Sequence, residues 1–257
     1  RTSNTDLYFD ALMETKSWKT YSHFVDSVYC KGEIKKGSFA GMKDATYWAD
    51  VIRGFEQKVE ISAKFYGKVS DIHCQDLEIK TGNDTYIKAK GTITGLPKSE
   101  NTVYNLLAQE IITSYSDYKS MHLGHLLENL PIPNMVSKLG KISVKGEFKG
   151  LIKNFDASAI INTEIGNLDL IGSSIKNGDE VTYSANILSQ QFDAGKLLNL
   201  PWLKTNSISA KAEVTGKNLN TLKARLTAGL GNINLKGINY DTIFLDGNMD
   251  NKQISAQ

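Results

Sequence analysis

Three runs of strict apolar–polar alternation stand out along the chain. Ile61, Ala63, Phe65, Gly67 and Val69 alternate with Ser62, Lys64, Tyr66, Lys68 and Ser70. Ile142, Val144, Gly146 and Phe148 alternate with Ser143, Lys145, Glu147 and Lys149. Ile208, Ala210, Ala212 and Val214 alternate with Ser209, Lys211, Glu213 and Thr215. A period of two sends successive side chains to opposite sides of a pleated strand, so each run predicts a strand with one dry and one wet face. No charged residue falls on the dry side of any of the three. The alternation continues in Ile87, Ala89, Gly91 and Ile93, and in Leu222, Ala224, Leu226, Ala228 and Leu230. It is looser in Ile243, Leu245, Gly247 and Met249, where Phe244 falls on the polar side. Thr81-Gly82-Asn83-Asp84, Lys176-Asn177-Gly178-Asp179 and Leu230-Gly231-Asn232 read as turns between runs. Together these features predict short strands in an antiparallel meander.

The runs also repeat. Ile61-Ser62-Ala63-Lys64, Ile142-Ser143-Val144-Lys145 and Ile208-Ser209-Ala210-Lys211 are each followed by a glycine, namely Gly67, Gly150 and Gly216. Ahead of each lies an Asp-led segment that reads as a helical turn, beginning at Asp44, Asp117 and Asp193 with spacings of 73 and 76 residues. An aspartate at such a position is a natural N-cap, because its carboxylate accepts from the free amides of the first turn. The pattern divides the chain into a partial module 1–43, modules 44–116 and 117–192, and a truncated module 193–257.

Helix signals are few. The best covers 117–130, with Tyr118, Met121, Leu126 and Leu130 loosely on one side and Pro131 closing it. The stretch 102–113 fits helix or strand equally by periodicity, and 8–11 and 22–31 each read as a strand. A continuous dry face with so few helices to cover it must find another partner, since exposed apolar area costs about 25 cal/mol per Å². The sheet closes on itself as a barrel or sandwich, or it stays open as a trough. Repeated modules extend a trough but not a closed barrel, so the expected class is mainly β, an elongated, curled antiparallel sheet with few short helices.

Composition changes this picture little. Of 257 residues, 40% are apolar and 23% charged, which is ordinary for a folded chain, and a net charge of +2 without basic clusters argues against nucleic acid. Cys30 and Cys74 are too few for a zinc site or a disulfide framework; a bridge between them is one reading, and two separate small side chains is the simpler one. No nucleophile elbow, phosphate loop or metalloprotease motif occurs, and the acids alternate with Lys on wet faces. The chain is therefore expected not to be an enzyme, with no cofactor. His122 and His125 lie three apart but lack further ligands, and the neighbours His73 and Cys74 point to opposite faces of a strand. The chain opens on Arg1 and closes on the strand-like stretch 251–257, with no apolar run long enough to span a bilayer, and is expected to be a piece of a longer protein.

The candidate functional surface is the dry face. Its expected lining residues are Ile61, Ala63, Phe65, Val69, Ile142, Val144, Phe148, Ile208, Ala210, Val214, Leu226, Ile233 and Leu235. Small residues such as Ala63, Ala210, Ala212, Ala224 and Ala228 fit a face that leaves room, and fit tight packing equally. The competing class is a surface β-sandwich for adhesion or glycan binding, but Trp18, Trp48 and Trp202 are too scattered to make a sugar platform. A polysaccharide-cleaving β-helix is disfavoured because its coils repeat at about 20–30 residues.

An ordered series of segments resembles the TamB-type proteins of the AsmA-like group, especially the Bacteroidetes forms. It comprises Lys43-Asp44-Ala45-Thr46-Tyr47-Trp48-Ala49, Gly67-Lys68-Val69-Ser70-Asp71-Ile72, Asp76-Leu77-Glu78-Ile79-Lys80-Thr81-Gly82, Ile93-Thr94-Gly95-Leu96-Pro97, Thr113-Ser114-Tyr115-Ser116-Asp117-Tyr118 and Phe192-Asp193-Ala194-Gly195-Lys196-Leu197-Leu198. The resemblance implies long sheets folded into a trough and a periplasmic location, with an inner-membrane anchor upstream of this segment. It further implies a part in outer-membrane biogenesis, either phospholipid transport between membranes or outer-membrane protein translocation and assembly. The implied partners are phospholipid or other apolar cargo and, through a C-terminal region outside this segment, an Omp85-type outer-membrane barrel.

Overall fold

The structure is a computed structural model that describes residues 5–14, 20–40, 58–120, 134–200, 203–204, 207–216, 223–235, 237–250 and 253–256. Its contacts separate two compact units, Arg1–Ser137 with Lys141–Lys145, and Lys138–Gly140 with Gly146–Gln257.

The first unit is a meander of β1 (Thr5–Glu14), β2 (Tyr29–Ala40), β3 (Lys58–Lys68), β4 (Asp71–Thr81), β5 (Thr85–Thr94) and β6 (Val103–Ser114). Each strand pairs antiparallel with the next, and β1 does not return to β6. Helix α1 (Tyr21–Ser27) buries Val25, and Val28 just beyond it, beside the β3–β4 turn, where Ser70 N donates to Val25 O. Helix α2 (Tyr115–Ser120) follows β6 directly.

The second unit takes in most of β7 (Lys141–Leu151), then β8 (Asn154–Thr163), β9 (Gly166–Asn177) and β10 (Glu180–Ser189). After helix α3 (Ala194–Leu198) come β11 (Leu203–Lys204), β12 (Ser207–Thr215), β13 (Lys223–Leu235), β14 (Ile238–Asp250) and β15 (Gln253–Ala256). The hydrogen-bonded order is sequential, except that β12 pairs β10 while the short β11 pairs the far end of β13. β7 has no pairing with β15, so this unit is not closed either. Both units are mainly β, antiparallel and poor in helix, the class the alternation predicts. Among the described residues no helix is long and apolar enough to cross a membrane.

The repeats have structural counterparts. The three tetrapeptides lie within β3 and near the starts of β7 and β12. Gly67 and Gly150 both hold φ at +123° near the ends of β3 and β7, where a Cβ would collide with the carbonyl oxygens of Asp71 and Asn154. That conformation favours glycine and lets the next strand approach closely. After β6 and after β10 a short helix sits against an earlier hairpin turn of its own unit. At α3, Asp193 is the N-cap, its carboxylate accepting from Lys196 N at 2.9 Å while its own N–H donates to Ile165 O at 2.8 Å. At α2 the roles differ from expectation. Ser114 Oγ accepts from Asp117 N, and the Asp117 carboxylate turns away from the helix to cap the β4–β5 turn instead. Asp44 lies outside the described residues, as does the expected helix beyond Ser120.

Two further expectations are corrected and one ambiguity is resolved. Residues 22–27 form helix rather than strand, β2 beginning only at Tyr29. The ambiguous stretch 102–113 is strand. Leu230-Gly231-Asn232 is not a turn, because β13 runs straight through it and the chain reverses beside Gly237, at φ +90°.

Candidate functional site: the apolar sheet faces

Residues paired across adjacent strands share a face, so the registers assemble the alternating runs into rows that cross the strands. In the first unit one row is Ile61, Ile79, Ile87 and Ile111. The next is Ala63, Leu77, Ala89 and Ala108, followed by Phe65, Cys74, Gly91 and Leu106. On the reverse side run Ser62, Glu78, Lys88 and Glu110, tied by a Lys88–Glu78 ion pair of 3.2 Å. This is one apolar and one charged surface.

The second unit carries longer rows. Ala159, Leu170, Ile187, Ala210, Ala228 and Leu245 follow one another across six strands, and Ala157, Gly172, Ala185, Ala212, Leu226 and Gly247 lie beside them. A third row holds Phe155, Ser174, Tyr183, Val214, Ala224 and Met249. Phe148 of β7 joins it, its ring 4.8 Å from that of Phe155. Ser174 does not break the apolar character, since it is buried and accepts from Phe155 N, and Tyr183 adds its ring to the row. One end of this face is covered. Phe192, Ala194 and Ile165 form a buried cluster against which Leu139, Leu168, Leu197 and Ile208 pack.

Most of the apolar surface is not covered in that way. Of the thirteen expected lining residues, the side chains of twelve are described. Nine of these are half-buried, Leu226 is 49% exposed, and only Ala63 and Ile233 are buried. A filled sandwich core would place most of them out of contact with water. Ile61, Ala63, Phe65, Ile142, Val144, Phe148, Ile208, Ala210, Val214 and Leu226 occupy apolar-face positions of their strands, as the alternation predicts.

Two of the other three do not. Val69 falls in the β3–β4 turn, past the end of the strand. Ile233 and Leu235 pair with Tyr240 and Ile238, while Leu226 pairs with Gly247 in the same unbroken register. An odd separation along a regular strand puts Ile233 and Leu226 on opposite sides, so Ile233 is removed from the lining set, while the side chain of Leu235 lies outside the described residues. The error traces to the missing turn at Gly231, which would have restarted the alternation.

Sequence reasoning passed over Ile72, Cys74, Leu77 and Ile79 of β4. An extra residue in β4 shifts the register between Lys64 and Phe65, which brings Cys74 and Leu77 to the same face although they are three apart. It also passed over β8, where Phe155, Ala157, Ala159 and Ile161 alternate cleanly enough to be found.

The remaining candidates separate. Cys30 and Cys74 are free thiols on β2 and β4, with β3 between them. Two strand spacings amount to about 10 Å, too far for a disulfide. Burial pushes the Cys74 thiol up, helped by the Asp76 carboxylate, so it is not an activated nucleophile. His73 stacks on Tyr66 at 4.7 Å and reaches Asp71 at 3.2 Å on the charged face. His122, His125, Trp18, Trp48 and Trp202 lie outside the described residues. Among the described residues, no group of three or more His, Cys, Asp or Glu is placed to hold a metal ion.

Neither a protein-family model, nor a curated protein, nor a solved structure matches this chain.

Proposed function

We propose that this chain is a non-enzymatic segment of a TamB- or AsmA-like protein that shields apolar cargo. The cargo is phospholipid moving between inner and outer membranes, or outer-membrane strands on their way to assembly. One observation supports this reading above others: apolar rows cross up to six strands of an unclosed sheet, and most of their side chains are only partly buried. Completing the burial of one such Ile or Leu contributes about 1 kcal/mol, so a row has several kcal/mol to offer an apolar guest. Such a surface is non-directional and recognises apolarity rather than a headgroup, which suits a path more than a specific pocket.

Purified protein incubated with fluorescently labelled phosphatidylcholine is expected to carry label through gel filtration and to release it to excess unlabelled lipid. If it retains no more label than a lysozyme control, the shielding role fails.

A further inference from the structure

We propose that the polar face of the second unit carries a binding site for a neutral saccharide chain, centred on Phe244. This face is opposite the apolar rows, so the site is independent of lipid shielding.

Phe244 is the first reason. It is 79% exposed, the highest exposure among the described large apolar side chains, and its register places it on the polar face opposite Gly229. Beside the ring the neighbouring rows on that face are polar, Lys211, Thr227 and Asp246 on one side and Ser207, Gly231 and Thr242 on the other; the first row continues through Asn186 to the exposed Ile171. An aromatic ring kept in water contributes little to folding and is available to be covered by a guest.

The surroundings are the second. Phe244 stands between two recesses of about 560 and 540 Å³ that share Ser209, Gly229 and the ring itself. The floor of the larger is built from Ser207, Ser209, Gly229 and Gly231, which keep β12 and β13 low. Its far wall is Leu188 with Asp169, across three strand spacings or about 14 Å from the ring. That span admits a pyranose lying flat against Phe244 with room for its substituents.

Charge decides the class of guest. The larger recess is lined by the Asp169 carboxylate, the Asn167 and Gln190 amides and the Thr242 hydroxyl, and by no Lys or Arg. A phosphate or carboxylate would meet a negative group and no cation. A guest with one apolar face and a rim of uncharged hydroxyls matches both the ring and the mixed donors and acceptors. The smaller recess, with Lys211 and Asp246 at its edge, continues the groove past Phe244. A chain of sugars therefore places one ring on each side of the aromatic ridge.

The test is titration of the chain with cellopentaose, maltopentaose and chitopentaose at millimolar concentration, followed by saturation-transfer NMR. At least one is expected to bind, and Phe244→Ala should weaken it roughly tenfold while leaving the thermal midpoint in place. Gly229→Thr gives a second reading. A Cβ at Gly229 meets Phe244 only at ordinary contact distance, 3.5 Å, so the variant folds, but its side chain fills the floor and should also reduce binding. No binding of any of the three sugars, or equal binding by Phe244→Ala, overturns the site.

Discussion

Replacing Asp117 with alanine is expected to destabilise the first unit by about 3 kcal/mol, the largest effect of any single polar substitution in the described chain. Asp117 is 1% exposed and its carboxylate accepts from Asn83 N at 3.1 Å and from Asp84 N, Thr85 N and Thr85 Oγ1 at 2.8 Å each. Four donors of the β4–β5 turn thus depend on one side chain of α2. Alanine removes the shared acceptor of three backbone amides, the most costly at buried Thr85, while Thr85 Oγ1 keeps Thr113 Oγ1 at 3.0 Å. Urea unfolding followed by circular dichroism measures the loss. A change below about 0.5 kcal/mol, the scale of an ordinary surface substitution, would show that the turn holds itself.

The same group sets an acid limit. Burial pushes the Asp117 carboxyl up, but the hydrogen bonds from Asp84, Asn83 and Thr85 together outweigh it and hold the group below its usual range. A depressed folded-state value means that the stabilisation is complete above the unfolded value of about 3.9, and is lost as pH falls through the folded value. Asp117→Asn should lack this part of the acid dependence.

Phe148→Asp is expected to leave the second unit folded and to abolish most phospholipid retention. The ring packs against Phe155 but is only partly buried, so a carboxylate there keeps contact with water and escapes the full cost of burial. The loss of one aromatic contact is worth about 1 kcal/mol. An acyl chain laid along the row, by contrast, would have to pass an unpaired charge. Far-UV circular dichroism and lipid retention on the same sample separate the outcomes. A folded but lipid-free variant fits an open apolar surface, whereas an unfolded one identifies a packed core.

Much of the fold was legible because period two is a direct consequence of strand geometry. Ile61 to Phe65, Ile142 to Phe148 and Ile208 to Val214 were placed on dry faces from sequence alone, and the registers join them to their neighbours. Legibility failed where the backbone changed phase. In β6 the register shifts between Lys88 and Ala89 of its partner, so Ile111 and Ala108 share a face and the strand mimics helical spacing. In β13, Gly231 announced a turn that tertiary pairing overrode, with β12 on one side and β14 on the other. The polar-face recess was invisible for another reason. Phe244 registered only as a break in alternation, and its meaning depends on Gly229 and Leu188, which stand 15 and 56 residues away in sequence.

The central claim is that one face of each unit conducts apolar cargo and the other does not. Photo-crosslinking side chains introduced one position at a time in cells expressing the intact protein test it most directly. Phe65, Phe148 and Val214 lie on apolar faces, and Lys64, Lys145 and Lys211 on the opposite ones, as the two-residue period requires. Phospholipid adducts are expected from the first three positions and from none of the lysine positions. Equal adducts from both faces, or none from either, would contradict the account.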